Sequence, residues 1–356
     1  MSDRLTIALD AMGGDNAPRM VLRGANLARK RHPQVEFLVF GREQDVQPYL
    51  SKMKKLRQVT TLVHCEDVVS DSEKPSTALR NGRNSSMRQA IQAVRDGKAD
   101  GVVSAGNTGA LMAMSKMLMK MLPGIDRPAI ASFFPTEVGE SVMLDLGANV
   151  QCDAQNLVDF AIMGNAFSRT VLGTMEPSYG LLNVGAEERK GHEALWEARD
   201  RLNQIKLPGR FHGFIEGDDI AKGTVDVIVT DGFTGNVALK AAEGTAKLIG
   251  SYLKSTFKSS IFAQMGYLLA RRAMQKLRKR TDPRRYNGAM FLGLNGIAVK
   301  SHGGTDPVGF ANAIGVAVDL ARGGFLERIR ADLGQLDRTA AGTARNGSSG
   351  AQAAAG

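Results

Sequence analysis

An α/β fold, with a mostly parallel sheet and helices on both faces, is what this 356-residue sequence predicts. Three observations carry it. Apolar, β-branched segments recur without strict alternation of apolar and polar residues, the pattern of strands buried on both faces. Segments of helical period lie between several of them. Most of the apolar segments close on a cluster of Gly with Asp, Asn, Lys or His, where open sheets bind ligands.

In chain order the predicted strands are LTIALDA from Leu5, VEFLVFG from Val35, TTLVHCED from Thr60, GVVSAGN from Gly101 and AIASFFP from Ala129. SVMLDLGAN from Ser141, YGLLNVG from Tyr179, FHGFIEG from Phe211, VDVIVTDG from Val225 and NGIAVKSHG from Asn295 follow. Helical patterns cover 84–98, 108–122, 153–172 and 234–257. One catalytic domain, 1–337, is expected. Residues 338–356 are small, almost uncharged and without apolar periodicity, and are expected to form a disordered tail.

Hydrophobic residues make up 43% and charged residues 23% of the chain, values that support a large core. Two cysteines, Cys65 and Cys152, argue against a disulfide framework and a Cys-rich zinc site. Without a signal-peptide pattern, they fit a reducing cytoplasm. No apolar run approaches the roughly 20 residues that span a bilayer.

The closing clusters read DAMGGDN (10–16), SAGNTGA (104–110), DLGAN (145–149), NVGAEERKG (183–191), EGDDIAKG (216–223), TDGFTGN (230–236) and KSHGGTD (300–306). Turn chemistry accounts for any one of them, since Gly and Asn take φ > 0 readily. Seven exceed what turns require, and they are expected to meet in one cleft. No GxGxxG follows the first strand, and GxxxxGK[ST], GxSxG and HExxH are absent, which argues against dinucleotide, Walker-type and hydrolase chemistry. The five histidines are scattered, so neither metal nor cofactor is expected.

What remains is an oxyanion cradle. Thr108 starts a helix whose free N–H groups and positive dipole end suit an anion, and the Asn107 amide can polarise a carbonyl. TDGFTGN repeats the arrangement with Asn236 and, one turn on, Lys240. Lys190, and Lys300 with His302, add mobile positive charge.

Together DAMGGD, SAGNTGA, DLGAN, LLNVGAEERKG, DVIVTDGFTGN and the late HGG resemble the bacterial phosphate acyltransferase family called PlsX, over about residues 5–333. The resemblance implies conversion of acyl-acyl-carrier-protein and inorganic phosphate to acyl phosphate for phospholipid synthesis. It implies a fold similar to isocitrate and isopropylmalate dehydrogenases and to phosphotransacetylases, and a homodimer. It further implies peripheral membrane association beside the membrane glycerol-3-phosphate acyltransferase that consumes the product.

For such a transfer, Lys190 and the Asn107–Thr108 helix start are the expected phosphate ligands. Asn236, with His302, is expected at the oxyanion, and Asp231 orients a lysine or acts as a weak base. Asp10 and Asp15 have two readings, catalytic carboxylates or Asx-type braces for their glycine loop. Gly13, Gly14, Asn149, Asn183 and Lys240 complete the expected substrate-binding set. Lys190 has a second reading as one arm of an ion pair beside Glu187 and Glu188. Cys152 near a helix start admits an acyl-Cys route, although a small buried residue is the preferred reading.

The formal charge of +10 is local. Eight basic residues against Asp282 give +7 over 271–285, leaving +3 elsewhere. The stretch 248–285 starts apolar, and Ile261, Phe262, Met265, Leu268, Leu269 and Met274 are expected to form one apolar face on helices. It reads as an ordinary packing helix, as an interfacial element with Leu268 and Leu269 in lipid and Arg271 and Arg272 on anionic headgroups, or as a dock for the acidic carrier protein. Nucleic acid is not an expected partner, since base-stacking aromatics are not interleaved with the charge. The rival functions are a short-chain phosphotransacetylase using acyl-CoA and a decarboxylating dehydrogenase.

Overall fold

The computed structural model describes residues 4–280 and 282–334; the predicted tail lies outside the described residues. The strands are β1 (Leu5–Asp10), β2 (Val35–Gly41), β3 (Thr60–His64), β4 (Gly101–Ser104), β5 (Ala129–Pro135), β6 (Glu140–Leu144), β7 (Ser178–Leu182), β8 (Arg210–Ile215), β9 (Val227–Val229), β10 (Ala289–Leu292) and β11 (Ile297–Lys300). The first helices are α1 (Arg19–Arg31), α2 (Glu43–Leu50), α3 (Lys54–Arg57), α4 (Pro75–Asn81), α5 (Ser86–Arg95) and α6 (Thr108–Met119). Then follow α7 (Ala154–Val171), α8 (Glu193–Gln204), α9 (Gly217–Lys222), α10 (Gly232–Lys258), α11 (Ile261–Arg280) and α12 (Pro307–Arg322).

All eleven strands form one sheet in the order β3-β2-β1-β4-β11-β10-β5-β6-β9-β7-β8. β1, β2, β3, β4 and β11 run parallel to one another, and β6, β7, β8 and β9 form a second parallel set. Three antiparallel steps, β11–β10, β10–β5 and β5–β6, separate the sets. An odd number of reversals makes the two sets point in opposite directions. β10, absent from the expected strands, supplies one of those reversals.

Both faces of the sheet are covered. One core joins Ile7, Leu9, Val39, Val103, Leu144 and Val227 to α1, α7, α8 and α12. The other joins Ala8, Val102, Ile130, Met143 and Ile228 to α5, α6 and α9. α7 starts on a reciprocal cap between Asp153 and Asn156, and 14 of its 18 residues are buried. Gly164 allows its close approach, since a Cβ there would lie 2.6 Å from Val227 Cγ1.

Asp159 on this helix is 3% exposed and accepts from Gln155 Nε2 at 2.8 Å. Burial pushes its carboxyl up to about 6, with Asp153 and Asp126 adding to the rise. The folded state therefore holds a proton that the unfolded chain releases near its ordinary value of 3.8. Stability from this group is full below that value and is lost as pH rises towards 6. Asp159→Asn is expected to flatten this slope and to stabilise the protein at about pH 8 by about 2 kcal/mol, measured by urea unfolding at both ends of the window. An unchanged slope would exclude Asp159 as its source.

α10 and α11 form an antiparallel hairpin that leaves the body. Gly232 and Gly235 are the buried residues of the 27-residue α10. Phe257 and Tyr267 pack across the hairpin with ring centroids 5.3 Å apart. Its apolar stripes face outward, with Tyr252 62%, Phe262 84% and Leu269 90% exposed. Among the described residues no helix is long and apolar enough to cross a membrane.

Candidate active site

The strand directions divide the seven glycine-rich clusters into two groups at opposite ends of the sheet. Those after β1, β4 and β11 meet at one end; those after β6, β7, β8 and β9 gather at the other. The expected single cleft is therefore not assembled within one chain. The reason is the antiparallel insert of β10 and β5, which inverts the second set.

At the first end the loops are welded to each other. Asp10 is 1% exposed; its Oδ1 accepts from Ser86 Oγ at 2.6 Å and its Oδ2 from Ser104 Oγ at 2.7 Å. Met12 N adds a local bond at 3.2 Å, of the Asx kind. Burial raises the Asp10 carboxyl while these donors pull it down. Gly13 has to be glycine because a Cβ would lie 2.6 Å from Gly106 N. Gly14 takes φ +98° beside the Gly303 carbonyl, which accepts from Asp15 N at 3.1 Å.

Asn107 is already satisfied. Its Nδ2 donates to the carbonyls of Ser70, Asp71 and Glu73 at 2.8–3.2 Å, and its Oδ1 caps α6 by accepting from Ala110 N at 3.0 Å. The amide pins the 70–73 loop over the helix start and offers no free donor. Thr108 stands exposed beside it. Lys300 corrects another expectation, since it is held rather than mobile. Its Nζ donates to the carbonyls of Ala105 and Ser301. Burial lowers it to about 8 against the pull of Asp71, Asp10 and Asp15. His302 N donates to Asn287 Oδ1 at 2.9 Å, and its Nδ1 accepts from Gly304 N at 3.2 Å.

The second end is organised by a carboxylate that the sequence did not single out. Asp145 is fully buried. Its Oδ1 accepts from the backbone N–H groups of Ile130, Gly147 and Ala148, and its Oδ2 from Asn149 N and Nδ2, all between 2.7 and 3.2 Å. Asn149 Nδ2 also reaches Pro128 O at 2.8 Å, so this asparagine braces the turn. The first turn of α10 presses on that turn. Gly232 N donates to Asn149 O at 2.7 Å, and a Cβ at Gly235 would collide with the Asp145 carbonyl. Asp231 caps α10, accepting from Thr234 N at 2.9 Å and Thr234 Oγ1 at 2.8 Å.

Asn236 is exposed over Gly147, and no described hydrogen bond engages its amide. One turn on, Lys240 pairs with Glu243 at 3.0 Å. Lys190 lies on the loop after β7, next to β9 in the sheet, so it shares this end with Asn236. Its Nζ sits 3.8 Å from Glu187 with both side chains more than half exposed. Such a pair is weak enough to exchange for a ligand. Asn183 donates to Lys190 O at 2.9 Å. Cys152 does not fit an acyl-Cys route, because burial pushes its thiol up to about 12, with Asp145 and Asp231 adding to the rise.

Lys190, Asn236, Asp231, Lys240, Asn149 and Asn183 thus share one end; His302, Asp10, Gly13, Gly14, Asp15, Asn107 and Thr108 share the other. Comparison with known proteins bears on which chemistry this frame serves. A family model described as "Fatty acid synthesis protein" matches residues 5–328. The phosphate acyltransferase of Rhodospirillum centenum is 66% identical over 94% of this chain and 95% of its own length. The chain belongs to the phosphate acyltransferase family. The phosphate acyltransferase of Paramagnetospirillum magneticum, 58% identical over 94% of this chain and 96% of its own, belongs to the same group.

Solved structures extend the likeness to the fold alone. A phosphotransacetylase from Streptococcus pyogenes is 16% identical with a TM-score of 0.62, covering 90% of this chain and 95% of its own. The EutD phosphotransacetylase from Staphylococcus aureus is 18% identical with a TM-score of 0.58 over the same shares. Phosphate acyltransferases and phosphotransacetylases thus share this α/β frame.

Proposed function

We propose that this chain joins inorganic phosphate to a long-chain acyl group carried as a thioester on acyl carrier protein, giving acyl phosphate for phospholipid synthesis. Family membership supports the reaction. The observation that carries the site is that the exposed Lys190 cation and the Asn236 amide, which no described hydrogen bond engages, lie at the same end of the sheet.

A phosphate oxygen attacks the thioester carbon, the C–O bond forms, and the carbonyl becomes a tetrahedral oxyanion. The oxyanion then collapses, the C–S bond breaks, and the thiolate takes a proton. Phosphate is nucleophilic near neutral pH, and a thiol with a reference pKa of about 8.5 is an acceptable leaving group. The protein's part is to hold two anionic reactants and to direct donors at the developing charge. Lys190 takes phosphate, Asn236 faces the oxyanion, and Asp231 fixes the helix start that carries it. Lys240 adds positive potential one turn along the helix. His302, Asp15 and Thr108, at the opposite end, receive no step.

Incubation with a long-chain acyl-acyl-carrier-protein and phosphate is expected to release free thiol in a phosphate-dependent manner; thiol release from acetyl-CoA alone would favour the short-chain phosphotransacetylase reading. The fold is read as similar to isocitrate and isopropylmalate dehydrogenases as well.

The hairpin suits a membrane surface. Exposed Ile261, Phe262, Met265, Leu268 and Leu269 line α11, followed by Arg271 and Arg272, a combination fitted to an anionic lipid interface. Leu248, Ile249 and Tyr252 on α10 form a second stripe, assigned to a second copy in a homodimer. A cytoplasmic enzyme resting on the membrane would deliver its product to the membrane glycerol-3-phosphate acyltransferase. Replacing Leu268 and Leu269 by Glu is expected to weaken co-sedimentation with anionic liposomes at least about ten-fold, since each buried leucine contributes about 1.5 kcal/mol or more. Equal pelleting of both proteins would remove the lipid role.

A further inference from the structure

We infer that Trp196, the single tryptophan of the chain, acts with Asn183 and Arg199 as a positioning device that fixes the Lys190 loop for phosphate capture. The inference rests on the assignment of phosphate to Lys190.

The loop between β7 and α8 has nothing apolar to order it. Ala186, Glu187, Glu188, Arg189 and Lys190 are all exposed. Beside it lies an open cleft of about 470 Å³ lined in part by Ala186, Glu188, Arg199, Asn203, His212 and Phe214, so this side of the loop has no packed neighbour. Hydrogen bonds do. Trp196 Nε1 donates to the Lys190 carbonyl at 2.7 Å, and Asn183 Nδ2 donates to the same oxygen at 2.9 Å. The Asn183 amide is itself oriented, because its Oδ1 accepts from Val184 N at 2.8 Å. Gly191 takes φ +82° against this group, where a Cβ would collide with Asn183 Oδ1.

Three residues further along α8, on the same helix face, Arg199 Nη1 donates to Glu188 O at 3.0 Å. Its guanidinium is steadied by Asp200 and lies 5.6 Å from the Phe214 ring centroid. Lys190 N closes the turn onto Glu187 O at 3.1 Å. Water would satisfy the carbonyl of an exposed loop. Two side-chain donors on one such oxygen, and a third donor two residues earlier, instead remove backbone freedom before substrate arrives. A cation presented on a loop already ordered loses less entropy on binding phosphate than one on a free loop.

Steady-state turnover with inorganic phosphate and a long-chain acyl-acyl-carrier-protein tests this in Trp196→Phe, Lys190→Ala and the double variant. Trp196→Phe is expected to raise KM for phosphate about ten-fold, the worth of one hydrogen bond. Its kcat and its KM for the acyl donor are expected to stay within about two-fold, the split that separates positioning of one reactant from general damage. The double variant is expected to match Lys190→Ala, because both losses act through one contact.

Arg199→Gln, which keeps the tryptophan, is expected to show the same phosphate-selective change and to stand in should Trp196→Phe fold poorly. In the native protein, phosphate is expected to shift the emission of the single tryptophan, and Lys190→Ala to abolish that response. A native phosphate KM in Trp196→Phe or Arg199→Gln beside an impaired Lys190→Ala overturns the positioning role alone. Losses that multiply in the double variant do the same. A native phosphate KM in Lys190→Ala overturns the phosphate assignment itself.

Discussion

Lys190→Ala is expected to raise the KM for phosphate on the order of 100-fold, the equivalent of one charge-assisted hydrogen bond lost from an anion. The acyl-donor KM is expected to change far less when phosphate is saturating. Among the described residues the ammonium pairs only with the exposed Glu187 at 3.8 Å, a pairing worth little in water. The substitution therefore removes ligand affinity without leaving a buried partner stranded. Because the site is open, the native KM for phosphate is also expected to rise with ionic strength, and the variant to lose most of that dependence. A phosphate requirement unaltered by the substitution would take Lys190 out of the site.

Asp145→Asn is expected to cost about 3–5 kcal/mol of stability, because an isosteric amide turns an NH2 group toward N–H donors at a fully buried position. Five bonds reach the native carboxylate, from Ile130, Gly147, Ala148 and twice from Asn149. Asn retains one acceptor oxygen and places a donor against the rest. The turn at 145–149 supports Gly232 and Gly235, so the start of α10 should loosen along with it. Urea unfolding checks the stability, and faster amide exchange of Gly232 and Gly235 checks the linkage. A variant as stable as the native protein would show that the turn stands without the carboxylate.

Much of the frame was legible because buried strands announce themselves. LTIALD and GVVS are apolar nearly throughout, and the structure buries them on both faces as β1 and β4. β10 escaped notice: its four residues follow a strongly basic stretch and lie between Gly288 and Gly293, a context that reads as loop. The reversal of the second strand set did carry a signal. Only residues 136–139 separate β5 from β6, too few for a parallel crossover and enough for a hairpin. Every strand from β6 to β9 inherits that reversal, which divides clusters that look alike in sequence.

The loops of the candidate site were legible as motifs, and the state of their side chains was less so. Glycine-rich strand ends with Asn and Lys did mark the loops that gather at each end of the sheet. Whether a given amide is free depends on partners far along the chain. Asn107 is satisfied by carbonyls 34 to 37 residues away, and Asp10 by Ser86 and Ser104, 76 and 94 residues on. No local pattern encodes such distant pairings. Trp196 and Arg199 fall outside the motifs and helical patterns of the sequence for the same reason, since the carbonyls they hold carry no signature of their own.

The uninterrupted α10 has a geometrical consequence for product delivery. Asn236 and Lys258 are joined by one helix, so roughly 33 Å separates the Asn236 amide from the hairpin turn. A rod of that length behaves as a strut, holding the Asn236 end of the sheet at a fixed standoff from whatever surface the turn touches. An acyl phosphate leaving the enzyme would then have a gap to traverse, and shortening the strut by whole turns would alter how readily the greasy product reaches its next consumer.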